Sequence, residues 1–247
     1  MNIMALYNIK GGVGKTATCV NLSYLAAVEG ASTLLLDLDP QGSASFYFRI
    51  KPSKKFNTKK FLKGKKKIDK NIKGTDFDNL DLLASDMSYR NLDIILNDLK
   101  RSKKQLRDIL APFETEYEYI FIDCPPNITL VSENVFFAAD YLLVPLIPTT
   151  LSMLSYTKLS QFFSNHSIPA EKILPFFSMV EKRKKMHQEI IKKYQEENKK
   201  FLKICIPFAA DVEKMGILRK PVVALKTNSA ASQAYQKLWQ ELKMLTQ

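Results

Sequence analysis

The chain has 247 residues, is 46% hydrophobic and 25% charged, and carries a formal net charge of +12. That composition excludes a disordered chain and suits one α/β domain, expected to span residues 1–247. No apolar run reaches the roughly 20 residues of a membrane-spanning helix. Met1-Asn2-Ile3-Met4 is no basic signal-peptide start, and Cys19, Cys124 and Cys205 have neither metal nor redox spacing, so a reduced, cytoplasmic setting is expected.

Asn2 to Asn8 is a short apolar run before glycines and reads as a buried strand. Thr16 to Glu29 carries apolar residues at helical spacing and stops at Gly30. Thr33 to Leu38 is a second buried strand, which completes a βαβ unit and predicts a parallel sheet. Lysines crowd the stretch from Lys51 to Lys73, which is expected to form an exposed helix and loops. Leu80 to Leu83 is the next strand. Tyr89 to Leu110 reads as one or two helices with a polar break near Arg101-Ser102. Tyr119 to Asp123 is a buried strand, Leu130 to Ala139 a helix and Tyr141 to Leu146 a strand. Helix is expected from Leu151 to Phe163, strand from Ile173 to Val180 and a basic helix from Met186 to Asn198. Phe201 to Ile206 is expected as the last strand and Ala230 to Leu245 as the final helix. The fold class is therefore α/β: a doubly wound, mostly parallel sheet with helices on both faces, whose ligand sits at the carboxyl ends of the strands.

Gly11-Gly12-Val13-Gly14-Lys15-Thr16 lies between the first strand and the first helix, the context a phosphate loop requires. Glycines let backbone N–H groups turn around phosphates, and the helix start adds partial positive charge. Lys15 suits the β- and γ-phosphates, and the Thr16 hydroxyl suits Mg²⁺. The usual pattern opens with a glycine, but Tyr7-Asn8-Ile9-Lys10 contains none; Lys10 directly precedes the double glycine instead. Asp37 and Asp39, one residue apart at the end of the second strand, are expected to point the same way and face the phosphates. Asp123 ends the strand Tyr119 to Ile122, where a carboxylate holds Mg²⁺ through water. Three strand-end carboxylates beside a phosphate loop are expected to form a metal and water site.

Lys10-Gly11-Gly12-Val13-Gly14-Lys15-Thr16 resembles the deviant Walker A loop of the ParA/MinD family of P-loop ATPases. The chain is most similar to small, Soj-type ParA partition ATPases. The likeness extends to Asp37–Ser43, Leu80–Ser85, Ile120–Asn127, Asp140–Pro145 and Ile206–Ala234. It implies ATP and Mg²⁺ as cofactors and a slow ATP hydrolase. It assigns Lys10 to cross a dimer interface toward the partner's nucleotide, and Lys15 and Thr16 to phosphate and Mg²⁺. It assigns Asp39 to orient the attacking water, Asp37 to support the following loop, Asp123 to support Mg²⁺, and Pro207 to lie near adenine. Gly11, Gly12, Val13, Gly14 and Ala17 complete the nucleotide-binding set. Where many relatives have a second threonine this chain has Ala17, so a hydroxyl contact to the α-phosphate is lost while the backbone N–H remains.

The resemblance further implies an ATP-dependent homodimer, non-specific DNA binding, nucleoid association and a ParB-like or other adaptor that stimulates hydrolysis. An arginine that contributes to DNA binding in relatives aligns with Asp211. The DNA contact is therefore expected from Lys182, Arg183, Lys184 and Lys185, with Lys192 and Lys193 around Arg183, and from Arg219 and Lys220, with Lys214; such contacts need only cations against phosphate. The alternative is a MinD-like membrane-cycling ATPase. It requires an amphipathic tail beyond the last core helix. The stripe Tyr235, Leu238, Leu242 and Leu245 lies on the helix the fold needs for packing, and no separate tail is expected before Gln247, so no stable membrane association is expected. An iron–sulfur reductase would need better-placed cysteines than Cys19 and Cys124. A scaffold that senses ATP without hydrolysing it would share the same motifs. His166 and His187 are expected at the surface, and Trp239 in the packing of the final helix.

Overall fold

The computed structural model describes residues 1–99 and 102–246. Within these, seven strands form one sheet: β1 (Asn2–Leu6), β2 (Thr33–Asp37), β3 (Ile72–Gly74), β4 (Leu80–Leu83), β5 (Tyr119–Asp123), β6 (Tyr141–Leu146) and β7 (Ile173–Phe177), in the order β3-β4-β2-β5-β1-β6-β7. All pairings are parallel except β3 with β4. β1 and β5 are neighbours whose chains leave in opposite directions across the sheet, β1 toward β2 and β5 toward β6. This is the topological switch point at which open parallel sheets bind ligands.

The longer helices are α1 (Lys15–Val28), α2 (Ser43–Tyr47), α3 (Leu130–Ala138), α4 (Thr150–Asn165), α5 (Lys185–Glu197) and α6 (Ala230–Thr246); α2 is a short one, included for its position. Alternation along the strands divides the core in two. Ala5, Leu34, Leu36, Ile120, Ile122 and Val144 face one cluster, packed with Val131 and Val135 of α3 and Met153 and Leu159 of α4. Met4, Leu6, Leu35, Phe121 and Leu143 face the other, packed with Val20 and Leu22 of α1 and Tyr235, Leu238 and Trp239 of α6. Helices therefore cover both faces, as the strand–helix alternation implied.

On α6, Tyr235, Leu238 and Leu242 are buried in this packing, while Leu245 is exposed. Trp239 is 1% exposed and donates its indole N–H to Glu29 at the end of α1. Lys243 and Gln240 bond the same carboxylate, so the two helices are pinned at one end. Among the described residues no helix is long and apolar enough to cross a membrane.

Three elements differ from expectation. The Lys51–Lys73 stretch is mostly exposed, but Phe56, Phe61 and Ile68 anchor it in the core and Ile72–Gly74 adds β3 as an antiparallel edge. The Tyr89–Leu110 segment becomes a 3₁₀ turn (Met87–Asn91) and two helices, Leu92–Asn97 and Gln105–Leu110; of the expected break, Arg101 lies outside the described residues. Phe201–Ile206 is no strand. Leu202 N donates to Pro175 O and Ile206 N to Phe177 O, so four residues advance against two of β7 and a regular ladder cannot run. Pro175 also lacks the N–H that would answer. The N–H groups of Lys203 and Ile204 go instead to the Glu241 carboxylate of α6, at 2.6 and 3.0 Å.

Candidate functional site

The loop from Tyr7 to Thr16 leaves β1 at the switch point, and buried Asn8 shapes it. Its amide donates to Pro145 O at the end of β6 (2.7 Å), and its carbonyl accepts from the N–H of Lys10 (2.9 Å). Gly14, at φ 90° and ψ 20°, turns the chain into α1. An added Cβ there would lie 2.9 Å from Ser178 Oγ, so both the backbone angle and the close neighbour require glycine. A cavity of about 390 Å³ opens beside this loop. Gly11, Gly12, Gly14, Lys15, Thr16 and Ala17 line it, together with Met179, Pro207, Phe208 and Val212. Val13 is buried behind the loop and contributes to its backbone rather than to the cavity wall. Lys10 is half-buried; its carbonyl accepts the Lys15 ammonium at 2.9 Å. Burial holds the Lys15 amine below the usual lysine range, offset by the carboxylates of Asp123 and Asp39.

The carboxylates divide differently from the sequence expectation. Asp37 does not face the cavity beside Asp39. It is fully buried, accepting from Ser45 N (2.8 Å), Ser45 Oγ (2.6 Å) and Asp39 N (3.2 Å). β2 ends at Asp37, so the alternation that would align the two side chains no longer holds at Asp39. Burial pushes the Asp37 carboxyl up to about 6 against the three hydrogen bonds it accepts. Asp39 lines the cavity. Its backbone is held by Ser85 Oγ, which donates to Asp39 O at 2.6 Å, and its side chain accepts from Gln41 N at 2.9 Å. Ser45 and Ser85, which sequence reasoning did not select, thus tie the segment after β2 to the end of β4; Ser85 N also donates to Ser45 Oγ.

Asp123 stands in register with Asp37 across the β2–β5 pairing. It is completely buried, and neither carboxylate oxygen makes a hydrogen bond of ordinary geometry. Burial pushes its pKa well up and Asp37 adds to this, with the Thr16 hydroxyl and Lys15 partly opposing. An uncompensated buried carboxylate costs several kcal/mol, so this group favours either a proton or a nearby cation. The orphaned oxygens beside the Thr16 hydroxyl, at a helix N-terminus lined with glycines, fit a Mg²⁺–phosphate unit. Among the described residues no three His, Cys, Asp or Glu side chains converge as a ligand set. An ion here would therefore draw on Thr16, phosphate oxygens and water, with Asp123 behind them, rather than on a cage of three aspartates.

The basic residues form two groups. Lys182 and Arg183 are exposed before α5; Lys184 pairs with Glu181 at 2.5 Å and Lys185 with Glu189 at 3.7 Å. His187 is not at the surface: it is 2% exposed, and its Nδ1 accepts the Glu181 N–H, shaping the turn that presents these cations. His166 is exposed and stacks on Phe162 as a surface residue. Arg219 belongs elsewhere. Its guanidinium lies 4.3 Å over the Phe46 ring of α2 and its Nε–H donates to Phe46 O, while neighbouring Lys220 is exposed. Asp211 pairs with Lys226 at 3.4 Å. A second cleft of about 270 Å³ gathers Lys182, Lys203 and Lys237. The last two carry no sequence signal, because only the fold brings α6 beside residue 203.

Residues 1–175 match the model of an AAA domain family. The chain is 29% identical to the chromosome partitioning protein ParA of Caulobacter vibrioides, over 98% of this chain and 94% of that protein. This chain belongs to the ParA family of P-loop ATPases. It is also 28% identical to the chromosome-partitioning ATPase Soj of Treponema pallidum, over 97% of this chain and 96% of that protein. Its fold superposes on a plasmid partition protein from Borrelia burgdorferi bound to AMPPNP with a TM-score of 0.83, at 22% identity and 98% coverage of each chain. The ParA fold accounts for the strand order, with the glycine loop at the switch point between β1 and β5.

Proposed function

We propose that this ParA-family chain is an Mg²⁺-dependent ATPase that dimerises on ATP, binds DNA without sequence preference and positions or segregates a cargo. The observation that carries the reading is the glycine loop with Lys10 at its entrance, opening onto a cavity that holds Lys15, Thr16 and Asp39. Backbone N–H groups from Gly11 to Ala17 bind the phosphates, and Lys15 neutralises charge on the β- and γ-oxygens. Mg²⁺ supplies further charge neutralisation there when bound. Thr16 and Asp123 hold its side of the site. Asp39 Oδ accepts a hydrogen bond from the attacking water and orients it, with Ser85 and the Asp37–Ser45 pair fixing its backbone. Lys10 directly precedes the cavity-lining Gly11, and this lysine of a second copy offsets charge developing in phosphoryl transfer; hydrolysis then requires the dimer. Pro207, which lines the same cavity, packs near the base.

The +12 charge supports a polyanionic partner. Lys182 and Arg183, with Lys184 and Lys185 more weakly because of their ion pairs, supply the phosphate contacts, joined by Lys203 and Lys237 from the neighbouring cleft. Lys220 adds to this field, whereas Arg219 is held on Phe46. A ParB-like or other adaptor triggers hydrolysis and release, and the DNA-bound dimer is nucleoid-associated. The test is co-sedimentation of the protein with unrelated DNA duplexes in ATP, ADP and no nucleotide. Binding is expected in ATP alone, irrespective of sequence; equal binding in all three conditions overturns the switch.

A further inference from the structure

Tyr47 is the last residue of α2, the helix that follows the Asp39 loop. It is half-buried and forms part of the cavity wall, together with Ala17 of α1 and Tyr235 of α6. Two tyrosine hydroxyls of the core have protein partners, Tyr7 donating to Asn127 O at 3.2 Å and Tyr117 to Asp81 Oδ2 at 2.8 Å, while that of buried Tyr89 has none. Among the described residues, none hydrogen-bonds the Tyr47 hydroxyl. Its ring is placed by packing, edge-on to Phe46 at 6.2 Å and against the cluster that contains Ala44 and Phe48. Phenylalanine would satisfy that packing equally, so the hydroxyl answers to something other than the core. Burial, followed by the Asp123 carboxylate, raises the phenol pKa; the group is a neutral donor throughout the physiological range.

The phosphates are expected along the first turn of α1, with Lys15 toward the β- and γ-groups and Ala17 further along. Ala17 offers that turn a backbone N–H and no side-chain donor. Tyr47 lines the same cavity, and it and Ala17 pack against the same side of the core. We propose that the Tyr47 hydroxyl donates a hydrogen bond to the α-phosphate of the bound nucleotide. This inference rests on reading the cavity as a nucleotide site. It adds a ligand contact from the helix whose Ser45 holds Asp37, so a single side chain ties the bound nucleotide to the segment carrying Asp39.

The test is Tyr47→Phe, which keeps the ring. Dissociation constants for Mg-ADP and Mg-AMPPNP are measured by calorimetry on wild type and variant, with thermal midpoints to verify the fold. A hydrogen bond to a charged oxygen weakens binding by about tenfold when lost. The expected result is that loss for both nucleotides, since both contain the α-phosphate, with an unchanged thermal midpoint. Affinities within about twofold of wild type overturn the contact, and a loss confined to AMPPNP overturns its assignment to the α-phosphate. A wild-type protein that binds neither nucleotide refutes instead the reading on which the inference rests.

Discussion

Replacing Gly14 by alanine probes the glycine loop without removing any functional group. At φ 90° an L-residue is strained by about 1–2 kcal/mol. The new Cβ would also meet Ser178 Oγ at 2.9 Å, closer than carbon and oxygen tolerate. Ser178 is only 1% exposed, and swinging its hydroxyl off a preferred rotamer costs about 0.5–1.5 kcal/mol. The two effects sum to about 1.5–3.5 kcal/mol, which in a chain of this size lowers the melting midpoint by about 3–14 °C. Urea denaturation measures the free energy directly. Ser178→Ala in the Gly14→Ala background is expected to recover about 1 kcal/mol, the overlap alone. A Gly14→Ala protein within about 0.5 kcal/mol of wild type would refute the reasoning. Complete recovery by Ser178→Ala would refute the backbone part of it.

Four further outcomes test the proposed mechanism and the packing. Asp39→Ala is expected to retain ATP and lose hydrolysis by at least about 100-fold, in single-turnover assays with radiolabelled ATP; normal turnover removes Asp39 from its role. Lys10→Ala is expected to bind ATP within a few-fold of wild type but to abolish partner-stimulated hydrolysis, and mixing it with Asp39→Ala protein tests whether the lysine acts across subunits. Changing Lys182 and Arg183 together to alanine is expected to lower the slope of log affinity for DNA against log salt by about 2, one for each lost phosphate contact; an unaltered slope moves the DNA face elsewhere. Burial raises the Glu29 pKa, but hydrogen bonds from Lys243 and Trp239 outweigh it, so the folded value lies below the usual glutamate range. A depressed carboxylate contributes stability above its unfolded pKa of about 4.3 and loses it as pH falls through the folded value. Glu29→Gln should therefore melt lower than wild type at pH 7, with the gap closing below about pH 4; a gap independent of pH would show that charge plays no part in the clamp.

Much of the fold is legible in short range. Buried parallel strands are continuous apolar runs, and β1, β2, β4, β5 and β6 each announce themselves that way. The phosphate loop is legible for a related reason: its function depends on backbone conformation, and the glycines and the adjoining helix that produce it are contiguous. The mis-assigned Phe201–Ile206 segment has the same apolar signature as a strand, since Phe201, Leu202 and Ile206 are buried. What denies it a ladder is Pro175 on the neighbouring strand and a carboxylate, Glu241, on a distant helix.

The chain's sequence alone determined the strand–helix alternation, the position of the glycine loop, the lysine before it and the excess of positive charge. Those features are local, or sums over the whole chain, and need no knowledge of which segments meet. Only the tertiary structure decided that Asp37 turns inward to Ser45 while Asp39 lines the cavity, that Ser178 crowds Gly14, that Tyr47 and Ala17 line the same cavity, and that His187 is buried beneath the turn carrying Lys182 and Arg183. Each of these depends on where a side chain lands relative to residues remote in sequence. Side-chain periodicity within a strand stops at the strand's end, and in this protein the functional residues begin there.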